Sequence, residues 1–183
     1  MTRVVVLGAG FGGLELSTVV AQRCGTDVEL TLVDQAEGFV FGFSKLDRAP
    51  DVVTASGLAV DGWIPVDPGT CETAFPGVYA VGDVTSIGTP KAGVFAEGQA
   101  AVVAERIVAT VQGGTSAARY DGRGICYLEF GHDRVAKVDV TFRPGERPVG
   151  GLEGPSTALA ADKSAFGTDR IRRWFGHEWV PAA

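Results

Sequence analysis

Arg3-Val4-Val5-Val6-Leu7-Gly8-Ala9-Gly10-Phe11-Gly12-Gly13-Leu14 stands near the start of the chain, an apolar run broken by four glycines within six residues. The β-branched run Val4 to Val6 favours an extended strand, the glycines end it, and the apolar stretch from Leu14 to Ala21 has helical character. Residues 3 to 24 therefore read as strand, turn and helix. Gly8, Gly10 and Gly13 form G-x-G-x-x-G at the strand-to-helix turn. The first permits a tight turn, the second lets a pyrophosphate approach the backbone, and the third lets helix and strand pack closely. The helix N-terminus adds N–H donors and a partial positive charge for an anion. Val28 to Val33 reads as a second strand and completes a βαβ unit of about 30 residues. Asp34 follows it, about twenty residues past the last glycine, placed to accept hydrogen bonds from a ribose. The pattern predicts a dinucleotide site formed by Gly8, Gly10, Phe11, Gly12, Gly13, Asp34 and Gln35. An acid there disfavours a 2′-phosphate, so NADP is not the expected ligand. The alternative is a glycine-rich turn without a ligand.

Composition sets the frame for that site. The chain has 183 residues, 45% of them hydrophobic and 21% charged, as expected of a folded globular domain with an appendage. Its net charge of −6 would repel phosphate backbones, so nucleic acid is not an expected partner. The beginning of the chain lacks a signal peptide's order of basic segment, apolar run and cleavage site, and no stretch approaches the roughly 20 apolar residues of a spanning helix. A cytoplasmic location is the expectation. Cys24, Cys71 and Cys126 are an odd number at wide spacing, which suggests neither a disulfide framework nor a zinc site.

Further along, Val52 to Ala55 reads as a third strand, Trp63 to Val66 as a short one beside the turn Asp67-Pro68-Gly69, and Gly77 to Val81 as a buried strand ending at Gly82-Asp83. The longest predicted helix runs from Pro90 to Val111, with Thr89 as its N-cap, Pro90 in its first position and Gly113-Gly114 at its end. Lys91 would then lie in a first helical turn, where a cation opposes the helix dipole and calls for an anion facing it, unless the side chain bends into solvent. Residues 125 to 130 and 135 to 142 alternate as two strands around Gly131-His132-Asp133, a hairpin pattern. Two short helices are expected near Thr157 to Ala165 and Asp169 to Phe175.

The segment Thr73-Ala74-Phe75-Pro76-Gly77-Val78-Tyr79-Ala80-Val81-Gly82-Asp83 resembles the second FAD motif of flavoproteins with two dinucleotide domains. In that motif a buried strand delivers an aspartate to the ribityl chain. The resemblance implies that Asp83 accepts a bond from a ribityl hydroxyl and that Gly82 leaves room for the cofactor. A plain turn closing a strand is the alternative. Pro90-Lys91-Ala92-Gly93-Val94-Phe95-Ala96-Glu97, followed by Tyr120 and Cys126-Tyr127, is similar to the sulfide:quinone oxidoreductase and flavocytochrome c sulfide dehydrogenase flavoproteins. The resemblance covers two blocks, 1 to about 47 and about 50 to 183. It implies an α/β architecture: a Rossmann-like three-layer FAD domain over residues 1–117, then a small C-terminal α+β extension over 118–183. The family's middle nicotinamide-nucleotide domain would be absent at a seam where Lys45-Leu46-Asp47 runs almost into Pro50-Asp51.

By the same resemblance Lys91, Ala92 and Gly93 face the flavin ring, where the lysine would tune its charge, and Cys126 is half of a disulfide that receives sulfide sulfur. The other half would lie in the absent region, and a small buried strand residue is the alternative reading of Cys126. A quinone or sulfur compound is the implied substrate, and the product is either an oxidoreductase core with impaired turnover or a non-enzymatic FAD-binding module. The Arg170 to Phe175 stretch mixes basic and apolar groups. It is read first as packing against the domain and second as peripheral membrane contact. His132 and His177 read as surface residues, and the loss of flanking strands makes a homodimer an expected assembly.

Overall fold

The computed structural model describes residues 1–39 and 49–178. The near side of the expected seam, Lys45 to Asp47, and most of the aromatic run from Phe39 to Phe43 lie outside the described residues. The chain is a mixed α/β protein with one parallel and one antiparallel sheet. It divides into two units, Met1–Gly122 with Phe142–Arg147, and Arg123–Thr141 with the chain from Pro148 onward.

In the first unit, β1 (Thr2–Leu7) pairs in parallel with β2 (Val28–Val33), in register from Thr2 opposite Val28 to Leu7 opposite Val33. Between them runs α1 (Phe11–Cys24), so the βαβ unit stands as expected. Period-two alternation puts Val4, Val6 and Val28 into the core with Leu16, Val20 and Cys24 of α1. The opposite sheet face is left open: Val5 is 63% exposed and Leu7 70%. α3 (Gly93–Val111) packs on α1 and contributes Ala100, Val103, Ala104 and Val108 to the same core. Its small residues let the two helices approach closely. Farther along, the Tyr120 N–H bonds the Gly69 carbonyl at 2.7 Å, and Phe142 meets Phe95 edge to face with ring centroids 5.6 Å apart. These contacts hold both flanks of the excursion between Gly122 and Phe142 to this unit.

Three expectations here are corrected. Val52 to Ala55 is not a strand but most of α2 (Asp51–Ala55), which Pro50 introduces and Asp51 favours electrostatically at its N-terminus. Trp63 to Val66 and Gly77 to Val81 form only isolated bridges, Trp63 with Val60, Ile64 with Thr85 and Tyr79 with Glu72, because no continuous partner strand lies beside them among the described residues. α3 begins at Gly93, with Ala92 as its N-cap in an extended conformation, and not at Pro90. Thr89 is no cap; its hydroxyl accepts a bond from Gln99.

The second unit is the sheet β3 (Arg123–Glu129), β4 (Val135–Thr141) and β5 (Val149–Ser156), antiparallel in that order, with α4 (Ala158–Phe175) packed on it. The β3–β4 hairpin turns through Gly131, His132 and Asp133, all with positive φ. β5 was not expected, since Gly150, Gly151, Gly154 and Pro155 are poor strand formers, and the pairing with β4 overrides their preference. The two short helices expected at the C-terminal end are one. Gly167 costs that helix only about 1 kcal/mol, which packing offsets, with Leu159 buried and Phe166 edge to face against Tyr127 at 5.5 Å. Gly176 closes it in the left-handed conformation, donating to the Arg172 carbonyl.

Candidate functional site: two glycine motifs at converging helix ends

Each glycine of the first motif has its own physical reason. Gly8 leaves β1 with φ +99°, a conformation that side chains rarely tolerate. A Cβ on Gly13 would stand 1.8 Å from the Gly8 carbonyl oxygen, so helix and turn meet at backbone distance. Gly10, the N-cap of α1, faces open space: a Cβ there would find nothing within 4 Å. No side chain caps α1. Its first-turn N–H groups therefore have no side-chain acceptor at the cap beside that space.

Asp34 stands directly after β2, with its carboxylate turned to the glycine loop. Its carboxylate accepts the Ala9 N–H on one oxygen and the Ala36 N–H on the other, the latter at 2.7 Å. Chiefly the Ala9 bond, then Ala36 and more weakly Gln35, hold its pKa below the ordinary aspartate value. The charged carboxylate braces the glycine loop, and its remaining lone pairs can accept further bonds. Gln35 sits on the exposed bend after it.

The second motif packs directly on the first. A Cβ on Gly12 would lie 2.8 Å from Cγ2 of Val81, and one on Gly82 would lie 3.1 Å from Cβ of Ala96 in α3. Gly82 has φ +77° and opens the 3-10 turn Gly82–Val84 that carries Asp83. The Gly82 N–H donates to Oε1 of Gln99 at 2.7 Å, and the Gln99 amide reaches the Thr89 hydroxyl at 3.3 Å. Gln99 is fully buried and fixes the turn from inside α3. Sequence reasoning missed it. The readable signal was a lone amide on the alanine- and valine-rich stripe of that helix.

The helix ends converge through a third glycine. A Cβ on Gly93 would lie 2.5 Å from the Phe11 ring, so the N-terminal turns of α1 and α3 meet there. Asp83 is half-buried beside this point, and among the described residues no hydrogen bond reaches its carboxylate. Burial raises its pKa, opposed by the nearby Lys91 ammonium. Lys91 precedes α3 instead of lying in its first turn, so the helix-dipole argument for an anion facing it does not apply. Its ammonium lies 3.3 Å from the centroid of the Trp63 ring and donates to the backbone carbonyl of Asp83. Burial lowers its pKa, and Asp83 partly restores it.

The other candidates are placed elsewhere. Cys126 lies on β3 of the second unit, opposite Val138, and burial pushes its thiol pKa up, away from the nucleophilic thiolate. Cys71 is completely buried in the first unit with its thiol pushed up to about 12 by burial, and Cys24 is buried in the same core. His132 and His177 are exposed. Among the described residues no cluster of His, Cys, Asp and Glu could hold a metal, and no helix is long and apolar enough to cross a membrane.

No family model matches this chain. Its fold is similar to that of a chain in the cryo-EM structure of the Tetrahymena thermophila mitochondrial ATP synthase F1Fo composite tetramer. The TM-score is 0.54 at 18% identity, over 82% of this chain and 36% of that one. At that identity the likeness concerns fold alone. This chain spans little more than a third of the length of the chain it matches.

Proposed function

We propose that the first unit is a Rossmann-like FAD-binding core of the sulfide:quinone oxidoreductase kind, lacking the family's nicotinamide domain. The observation that carries this reading is the packing of Gly12 against Val81, which joins the glycine loop to the Gly82-Asp83 turn from the far side of the sequence. The residues also suit the cofactor chemically. The uncapped α1 terminus and the open side of Gly10 suit a pyrophosphate. Asp34 and Gln35 suit the adenosine ribose. The half-buried Asp83 carboxylate offers unshared lone pairs to a ribityl hydroxyl.

When bound, FAD supplies the electron-carrying chemistry. The chain's own residues do the holding: Gly8, Gly10, Phe11, Gly12 and Gly13 the phosphates, Gly82 and Asp83 the ribityl chain, and Lys91, Ala92 and Gly93 the ring end. A cation at that end opposes negative charge building up on the ring. No flavin-linking cysteine or histidine motif accompanies these residues, so the cofactor is held non-covalently. With a single glycine loop, taken by FAD, NADH should reduce the flavin poorly.

A second reading, a non-enzymatic FAD module, draws support from the cysteines. Cys24 and Cys71 are enclosed in the first unit's core, so neither offers Cys126 an accessible partner for a sulfur relay. Turnover with sulfide and a quinone analogue separates the two. For the C-terminal region we favour packing over peripheral membrane contact. Arg170 stacks on the Phe166 ring at 3.5 Å, and Arg172 is bound by Glu178 in a fork of 2.8 and 2.9 Å. The test of the main reading is cofactor identification on protein purified without added flavin. Acid precipitation should release FAD into the supernatant; NAD in its place would overturn the proposal.

A further inference from the structure

The Lys91 ammonium is not held by a carboxylate but by an aromatic face and a carbonyl, and the fold takes trouble to put both there. Trp63 follows a two-residue turn, Asp61-Gly62, in which both residues have positive φ, as a type I′ turn requires. Val60 and Trp63 exchange backbone bonds of 2.8 and 3.1 Å across that turn. The next residue, Ile64, donates to the Val84 carbonyl at 2.9 Å and accepts from the Ser86 N–H at 3.1 Å. Trp63 is thus fixed next to the segment that presents Asp83, and its ring meets Lys91 face on. A lysine stem has four rotatable carbons and no shape of its own, so its charge stays in one place only if the surroundings confine it. Lys91 is exposed as a residue, and an ammonium seated over an indole face gains cation–π attraction even at an exposed site.

We propose that Trp63 is a positioning residue of this site, its indole face holding the Lys91 ammonium beside Asp83 where the N-termini of α1 and α3 converge. This rests on the reading of the site as an FAD site. The occupant that benefits is an anionic or electron-accepting ring system at the α3 end, which meets a charge already in place. No motif pointed to Trp63, although Asp61-Gly62 is a strong hairpin signal in sequence.

The test uses the whole chain with Trp174 and Trp179 replaced by Phe, so that Trp63 is the sole tryptophan. In cofactor-free protein, Lys91→Met should change the Trp63 emission yield, since an ammonium in contact with the ring is lost. This arm needs no ligand. In the second arm FAD affinity is measured for Trp63→Leu, Lys91→Met, the double variant and Trp63→Phe, with tryptophans 174 and 179 intact. The two single variants should weaken binding equally, roughly three- to tenfold, with the double variant no weaker, and Trp63→Phe should restore most of the loss. Emission indifferent to Lys91→Met would overturn the contact. FAD affinity unchanged in Trp63→Leu but weakened in Lys91→Met would overturn the positioning role. A normal emission response with no FAD binding by the parent chain would instead defeat the FAD reading and leave the Trp63–Lys91 pair standing.

Discussion

Asp34 and Asp83 are both presented at the candidate site, and their surroundings push them in opposite directions. Backbone donors stabilise the Asp34 carboxylate, so its pKa in the fold lies below the usual 3.8. Such a group contributes stability that is present above the unfolded value and lost as pH falls through the folded one. Urea midpoints between pH 5 and pH 2 should therefore fall more steeply in the parent than in Asp34→Asn. Parallel curves would show that the loop is not braced by this charge. Asp83 carries the other sign, because burial without a donor raises its pKa. Its ionisation costs stability as pH rises through the interval above 3.8. Asp83→Asn should thus melt higher than the parent at neutral pH without cofactor, yet bind FAD about tenfold more weakly. The glycines make a sharper pair. Gly13→Ala must displace backbone and should cost about 1–3 kcal/mol. Gly10→Ala, with open space beside it, should leave the melting temperature nearly unchanged and weaken FAD binding.

Among the elements, α3 carries the most structure. Val103 is completely buried between this helix and α1. Truncating it to alanine should cost about 2 kcal/mol, read from the denaturant midpoint. Gln99→Leu keeps the volume but leaves the Gly82 N–H without its acceptor, a loss of about 1–3 kcal/mol. The same element shows where sequence reading stops. Its apolar stripe was legible, and so was its end at Gly113-Gly114. Its start was not, because Thr89-Pro90 mimics a cap and first turn, whereas the chain stays extended to Ala92 and puts Lys91 against Trp63. The β1–α1–β2 unit was legible almost to the residue because strand period, glycine spacing and the terminal acid agree. β5 was hidden because only its partner strand, not its glycine-rich composition, makes it a strand. Of the candidate site, the glycines and the two aspartates could be read from the motifs. Gln99 and Trp63, which hold those residues in place, could not, since their roles arise from tertiary contact.

For the molecule as a whole, the open side of the parallel sheet is the conspicuous feature. Parallel sheets are normally covered on both faces, whereas Val5, Leu7 and Val33 remain exposed on one side of this one. An apolar face of this kind favours contact with another surface, and self-association is the expected consequence. Light scattering over a wide concentration range should show a rising mass, lowered in Val5→Lys; a constant monomer in the parent would refute it. Titration of the cofactor-free chain with FAD, followed by flavin fluorescence, tests whether the junction of the two glycine motifs is a cofactor site. Saturation at one FAD per chain is expected, with binding weakened in Gly10→Ala and in Asp83→Asn while both variants remain folded. No saturable binding by the folded parent, or binding indifferent to both substitutions, would contradict it.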